Sequence, residues 1–552
     1  MMKNLIYIVG IAVLLFSCNE DFLEEKPLDF LSSQNALVNY EDFNLSVNDM
    51  YRVVRTEFFT RDENRPFDYL YSTDLVFDGQ PNTNRHTNMT ATFDPNGTVA
   101  SSHWSAHYRI IAQANTVISR VAGSQMTDSQ KAIVLGRAKF FRAFAYRTLA
   151  YLYGGVPLVL EEVTSAKTDF VRSSREQVYQ QCILDLNEAI AVLPAISMVL
   201  DGEINKQAAQ HLLAEVYLAA GQFQNAVTAS TEVIQSGDVR LMQNRFGARS
   251  GFVDGNVYWD LFQPGNQNRK SGNLEGLWVI QIEADIPGGS AITTGQAGSY
   301  LLERHHAPYV GELLSNGVNP FLWPVSNNSG GRGIGWAVST KHFSDTIWEK
   351  DFDIDIRNDN INFVREFSSN NPNSPLFGQK ILTSSPPAGI RVPSRGFYAY
   401  QSKSTHPGQH PANLIQNAAT GLLRATAGGT YTDQYMFRLA ETYMIRAEAY
   451  LGLQNQASAA ADLNTVRSRS SASDVLPSQV NIDFILDERM RELGVEEKRK
   501  LTLMRLNLLY DRVSRYNPHY TDLNPRHNLW PIPFGEIERN KDAVLEQNPG
   551  YN

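Results

Sequence analysis

The sequence predicts a mainly α fold. It reads as a scaffold of antiparallel helix pairs, an αα superhelix, interrupted by a large loop-rich, aromatic-rich insert containing short strands. Three observations predict it. Apolar residues recur at steps of three and four toward both ends of the chain, two segments share the spacing of a helix-pair repeat, and composition changes between residues 239 and 430. The 552 residues are 42% hydrophobic and 19% charged, with a mean hydropathy of −0.31. That balance excludes collagen, coiled coil, disorder and a multi-span membrane protein.

The N-terminus comes first. Lys3 precedes the run Leu5 to Phe16, twelve apolar residues. A bilayer-spanning helix needs roughly 20, so residues 1–17 read as a secretory signal peptide. The run ends in Leu15-Phe16-Ser17-Cys18, which resembles the bacterial lipobox and makes Cys18 the lipid-attachment site. Cys182 is then the other cysteine, and a single thiol forms no internal disulfide. It falls in the helical pattern of Val178 to Leu193 and reads as a small buried hydrophobe. Formal charge is −9, and −10 without Lys3. A chain this acidic lacks the basic surface that nucleic acid or anionic lipid requires.

Residues 18–238 read as an N-terminal helical region. Trp104, Tyr108, Ile111, Asn115 and Ile118 recur on one helix face, and Ala138, Phe141, Ala145, Leu149 and Leu152 on another. Gly154-Gly155-Val156-Pro157 stops the second helix. Near 205–238, Leu213-Ala214, Tyr217, Gly221 and Ala226 match the spacing of a tetratricopeptide repeat. Near 438–470, Ala447, Tyr450 and Ala459 match it again, inside a C-terminal helical region, 431–552. Small residues at these positions let the two helices of a pair approach closely. The pairs stand far apart in sequence, so no continuous array is expected.

Residues 239–430 form the insert. They hold 23 of the 37 glycines and five of the seven tryptophans, and the helical period fades except near Thr340 to Lys350. Leu277-Trp278-Val279-Ile280-Gln281-Ile282 reads as a strand. Long irregular segments in a compact protein are usually functional, so the insert is the expected ligand-binding region.

Several stretches point to one family. CNEDFLEEKP at Cys18 sets an acidic tract behind the lipidated cysteine, resembling the surface-export signal of Bacteroidetes lipoproteins. Arg142-Ala143 with Gly154-Gly155-Val156-Pro157-Leu158, Asp355-Ile356-Arg357, Arg438-Leu439-Ala440-Glu441 and Glu488-Arg489-Met490-Arg491-Glu492-Leu493 follow in order. Trp530-Pro531-Ile532-Pro533 and Gln547-Asn548-Pro549-Gly550-Tyr551 close the series. Together they resemble the SusD/RagB family over essentially the whole mature chain. One departure is Gly494 to Arg499, which replaces a shorter family segment on a turn expected to be exposed. The resemblance implies a surface-exposed, outer-membrane lipoprotein that captures glycan. It would hand the glycan to a SusC-like TonB-dependent transporter, as a hinged lid without catalysis or cofactor.

Chemistry readable from the residues is sparse. There is no HExxH, GxSxG or GxxxxGK[ST], and paired carboxylates of a glycosidase leave no local signature. Asp351, Asp353 and Asp355 alternate as in an EF-hand, but Ile356 and Asn362 occupy its glycine and glutamate positions. A solvated strand face or an Asp355–Arg357 pair explains them better. His305-His306 are adjacent and do not converge on one metal ion; they read as loop surface. Gly330-Gly331-Arg332-Gly333-Ile334-Gly335 lacks the dinucleotide spacing and reads as a flexible loop.

What remains is recognition. An aromatic ring covers the apolar face of a sugar, and polar side chains bind its rim. Trp259, Trp278, Trp348, Trp104 and Trp530 lie in apolar or motif surroundings and read as core. Trp323 and Trp336 flank a polar, glycine-rich segment with little to bury them and are the expected stacking platforms, with Tyr300 a third. Residues 77–98 form a second polar loop, from which Phe93 and Arg85 are added as ligand-binding candidates. Two other classes fit less well. A repeat scaffold for outer-membrane assembly would not need the insert, and a surface glycoside hydrolase would reveal itself by turnover.

Overall fold

The computed structural model describes residues 37–80, 87–282 and 300–551. The signal segment, Cys18, the acidic tract and Arg85 lie outside these residues. The first helix, α1 (Tyr40–Phe58), starts where the Asn39 side chain accepts the Asp42 N–H and Asp42 reaches back to the Asn39 backbone. Such reciprocal caps satisfy N–H groups that a helix start leaves without partners. The same device opens α3 (Asp128–Tyr153) at Thr127 and Gln130, and α4 (Arg175–Val192) at Ser174 and Gln177. Between α1 and α3 runs α2 (Thr98–Arg120).

Helix α3 is the spine. Every residue from Phe140 to Tyr153 is buried, more than the single apolar stripe expected from period, so other elements cover it on all sides. Its three arginines, Arg137, Arg142 and Arg147, are buried with it. Arg142 makes two hydrogen bonds to Asp185 at 2.7 and 2.8 Å and one to Asn115 at 2.8 Å, tying α3 to α4 and α2. Cys182 on α4 is buried as expected, its Sγ 3.5 Å from Ala143 O.

The chain continues through α5 (Lys206–Ala219) and α6 (Phe223–Ile234). After the insert come α7 (Leu439–Gly452), α8 (Gln456–Arg469), α9 (Ile482–Glu492), α10 (Arg499–Arg505) and α11 (Leu509–Tyr516). Both tetratricopeptide-like pairs form, as α5–α6 and α7–α8. One expectation is corrected. From α2 each helix packs on the next through α6, and α6 packs directly on α7, so the pairs are neighbours in one superhelix despite their separation in sequence. Arg446 joins them, with two hydrogen bonds to Asp462 on α8 and one of 2.9 Å to Thr231 on α6.

The insert leaves and re-enters the scaffold at one place. The expected strand forms as Gly276–Ile280 and pairs antiparallel with Gln434–Arg438. Trp278 stands on it, buried against Phe140, Phe144 and Phe437. Other sheets among the described residues are two-stranded scraps, of which Val76–Asp78 with Ala337–Ser339 matters most below. Trp104, Trp259, Trp348 and Trp530 are buried, as expected.

The motif charges are buried too, in one network. Arg438 donates to Glu275 at 2.6 Å, Glu492 at 2.6 Å and Glu496 at 2.9 Å. Arg357 meets Asp355 at 2.7 Å, Glu488 at 2.8 Å and Glu492 at 3.1 Å. Arg467 bridges Glu488 and Asp351, and Arg469 bridges Glu275 and Glu492. Burial alone would raise the Glu492 carboxyl pKa, but the guanidiniums of Arg469, Arg438 and Arg357 hold it well below the usual range. Of the two explanations for the alternating aspartates, the Asp355–Arg357 pair is the one observed. The turn at Gly494 is not exposed as expected. Gly494 and Val495 are buried, and Arg499 just beyond pairs with Asp74 at 2.8 Å. Among the described residues no helix is long and apolar enough to cross a membrane.

Candidate functional site

The segment from Ala307 to Trp336 folds back on itself, bringing Trp323 against Tyr309 and setting Trp336, at its end, against His305. Asn319 anchors its middle, its Nδ2 donating to Val310 O at 3.0 Å and Gly311 O at 2.9 Å. Trp323 Nε1 donates to Gly333 O at 3.1 Å. The Trp323 ring lies so close to Gly311 that a Cβ there would stand 2.8 Å from the indole, which a side chain does not tolerate. Tyr309 meets Trp323 edge-on at 4.7 Å between ring centres. Trp336 stands edge-on to His305 at 5.0 Å. Trp323, Tyr309 and Trp336 are each only partly buried.

Three arginines frame these rings. Arg332 lies 5.8 Å from the Trp323 ring centre, Arg395 4.8 Å from Tyr309 and Arg304 5.0 Å from Trp336. Glu63 pairs with Arg304 at 2.7 Å and Glu312 with Arg395 at 3.7 Å. Burial and the neighbouring Arg304 charge lower the Arg332 pKa from the usual guanidinium value. The arrangement offers aromatic surface, hydrogen-bond donors and carboxylate acceptors within one patch.

The glycine-rich run is not the flexible loop expected from its composition. A Cβ at Gly333 would strike Ala307, and one at Gly335 would strike the Arg395 carbonyl. Glycine is there because three chain segments pass at contact distance. The pairing of Val76–Asp78 with Ala337–Ser339 continues as Gly79 N–H donating to Trp336 O at 2.8 Å. It sets Phe77 to Gly79, the start of the second expected loop, beside Trp336.

Two of the expected ligand residues do not face outward. Tyr300 is 2% exposed, stacked on Phe67 at 5.4 Å and met edge-on by Phe59 at 5.3 Å. Phe93 is 1% exposed and packs against Trp530 at 5.5 Å. Both are core residues whose covering partners come from distant sequence. Arg85 lies outside the described residues. Sequence reasoning missed Tyr309, Arg304 and Arg395, which stand in no motif and carry no local cue. Arg332 had one, as the lone cation inside the glycine run.

His305 and His306 correct another expectation. They are buried, in the short helix Leu302–His306, rather than on a loop surface. His305 stacks on Phe67 at 3.7 Å, whereas His306 Nδ1 lies 2.9 Å from Ala337 O. Their side chains diverge, and among the described residues no cluster of His, Cys, Asp and Glu is placed to hold a metal ion.

Beside Trp323, Ser326, His410 and Glu303 follow one another by hydrogen bonds. Ser326 Oγ is 2.7 Å from His410 Nδ1, and His410 Nε2 is 2.8 Å from Glu303 Oε2. A hydrolytic relay also needs N–H groups aimed at a developing oxyanion. Here Ser326 N–H goes to Gly421 O, Asn327 N–H to Val325 O and Gly408 N–H to Ser326 Oγ itself. Glu303 further accepts Thr405 Oγ1 at 2.6 Å and Arg332 N–H at 3.0 Å. The chain of bonds is a brace that holds the loop bearing Trp323 and Arg332.

Comparison with known proteins adds to this geometry. The family model described as "Starch-binding associating with outer membrane" matches residues 21–218, and that of the SusD family matches 325–551. The chain is 23% identical over its whole length to SusD-like protein P25 of Formosa agariphila, covering 99% of that protein. It is 26% identical to SusD-like protein P2 of the same organism, with both chains fully covered. A solved structure described as a laminarin-binding SusD-like protein superposes with a TM-score of 0.67 at 22% identity. The match covers 93% of this chain and all of that one, and at that identity it establishes the fold alone.

Proposed function

This chain belongs to the SusD/RagB family, and from that premise we propose that it is a non-catalytic, cell-surface glycan-binding lipoprotein. It captures oligo- or polysaccharide on the patch formed by Trp323, Tyr309 and Trp336. It then delivers the glycan to a SusC-like TonB-dependent transporter, closing over the barrel as a hinged lid. Attachment to the outer membrane is through lipid on Cys18. The single observation that carries the binding reading is the partial exposure of Tyr309, Trp323 and Trp336 along one folded-back segment, inside a protein whose other tryptophans are buried. A sugar ring matches such a patch, its C–H face on the indole and its hydroxyls on the surrounding arginines and carboxylates. The laminarin-binding neighbour supports glycan as the ligand class. The family motifs support a non-catalytic reading, since their charges are spent on one another in the buried network.

The soluble chain from Asn19 onward, screened against polysaccharides by affinity electrophoresis and calorimetry, tests the proposal. Saturable binding without product formation is expected. Trp323→Ala should weaken it by roughly 0.5–1.5 kcal/mol, about two- to tenfold in Kd, and Trp336→Ala similarly. Binding indifferent to both changes would move the site elsewhere, and released products would make the protein a hydrolase. For the anchor, Cys18→Ala should shift the protein from the membrane to the soluble fraction. For the partner, the wild-type protein should co-purify with a β-barrel transporter.

A further inference from the structure

A second aromatic platform stands on the insert, in the loop from Arg249 to Gly255. Phe252 lies stacked on Trp259, with ring centres 5.3 Å apart and planes 27° from parallel. Trp259 is buried, whereas Phe252 is 39% exposed and Val253 beside it is 92% exposed. The loop is wound around one guanidinium. Arg245 donates to Asp260 at 2.6 and 3.1 Å, and to the carbonyls of Arg249, Phe252 and Gly255 at 2.8, 2.9 and 2.6 Å. Those five bonds use every N–H that an arginine side chain has. Gly255 closes the loop where a Cβ would stand 2.6 Å from the Arg245 guanidinium and 2.8 Å from the Trp259 ring.

A ring held this way needs little further ordering when a ligand arrives, and its size says which ligand. One phenyl ring and one isopropyl group fall far short of the roughly 800 Å² per partner of a standard protein interface. They match the C–H face of a single sugar. Polar groups for its hydroxyls flank the ring. The Arg249 guanidinium lies 5.2 Å from the Phe252 ring centre and 5.5 Å from that of Trp259, and Ser250 and Asp254 are exposed. Donors and acceptors are both present, as a sugar rim requires. Resting on the glycan-capture reading above, we infer that this loop is a second glycan-binding site. A sugar ring packs on Phe252, and Arg249 and Asp254 bind its hydroxyls.

Calorimetry of the soluble chain with laminarihexaose, maltohexaose and cellohexaose tests it. At least one of these should bind at two sites per chain. Phe252→Ala should weaken one site by about two- to tenfold and leave the other unchanged. Arg249→Gln should weaken the same site by about tenfold. Phe252→Trp should restore it and add a fluorophore whose emission shifts as ligand binds. A single site in the wild type, weakened by Trp323→Ala and indifferent to Phe252→Ala, would overturn the inference and leave capture at Trp323 standing. Two sites that are both indifferent to Phe252→Ala would place the second elsewhere and overturn it as well. A single site weakened by Phe252→Ala but not by Trp323→Ala would uphold this loop and sink the assignment to Trp323. Failure to bind any of the hexasaccharides would count against both readings.

Discussion

At the scale of single residues, the motifs were legible as identities and illegible as partners. Arg438, Glu488, Glu492 and Arg357 stand out in the sequence, but nothing local says that Arg438 meets Glu275, 163 residues away. The network makes a definite prediction. Arg438→Ala would leave Glu275, Glu492 and Glu496 buried without their shared cation, and breaking a buried ion pair from one side costs about 3–5 kcal/mol. A lower denaturation midpoint of that size is expected in urea titrations, and an unchanged midpoint would show that the network adds little. The aromatic residues divide for a related reason. Trp323 and Trp336 were readable from a lack of apolar neighbours in sequence, and they are indeed partly exposed. The same local logic misled at Tyr300 and Phe93, because Phe67 and Trp530 cover them from afar.

At the scale of elements, helices were readable wherever a period of three and four ran for several turns, and so were both helix pairs. The packing of α6 on α7 was not. It joins segments on either side of the insert, and a repeat pattern says nothing of what packs across such a gap. Gly452 records that contact. A Cβ at this position would stand 2.7 Å from the Phe223 ring at the start of α6. Replacing a helix glycine with alanine ordinarily gains roughly 0.5–1 kcal/mol, but overpacking a close contact costs about 1–3 kcal/mol. Overpacking should win here, since Gly452 is the last residue of α7 and gains little from helix propensity. Gly452→Ala is therefore expected to destabilise by about 1 kcal/mol in thermal or chemical melts, and a stabilised variant would refute the close approach. The short strands lay beyond sequence reading for a different reason. Val76–Asp78 and Ala337–Ser339 have three residues each, too few for an alternating pattern, yet their pairing assembles the patch.

At the scale of the whole molecule, the question is whether the insert is an appendage or part of the same folding unit. Composition alone favours an appendage, since glycine and tryptophan concentrate in it. The contacts favour one unit. Trp278 reaches from the insert into the rings of α3. Glu275, Asp351, Asp355, Arg357 and Lys403 of the insert pair with Arg438, Arg467, Glu488, Glu492 and Glu496 of the scaffold or with one another. Two probes separate the alternatives. Helical circular dichroism follows mainly the scaffold, and tryptophan fluorescence follows mainly the insert, which holds five of the seven tryptophans. Cooperative unfolding makes transitions seen by different probes coincide, so one shared midpoint is expected. Fluorescence changing at lower denaturant than circular dichroism would mean that the insert melts alone. A single unit also has a functional consequence: the patch would keep its geometry whenever the helices are folded, and ligand would meet a site already formed.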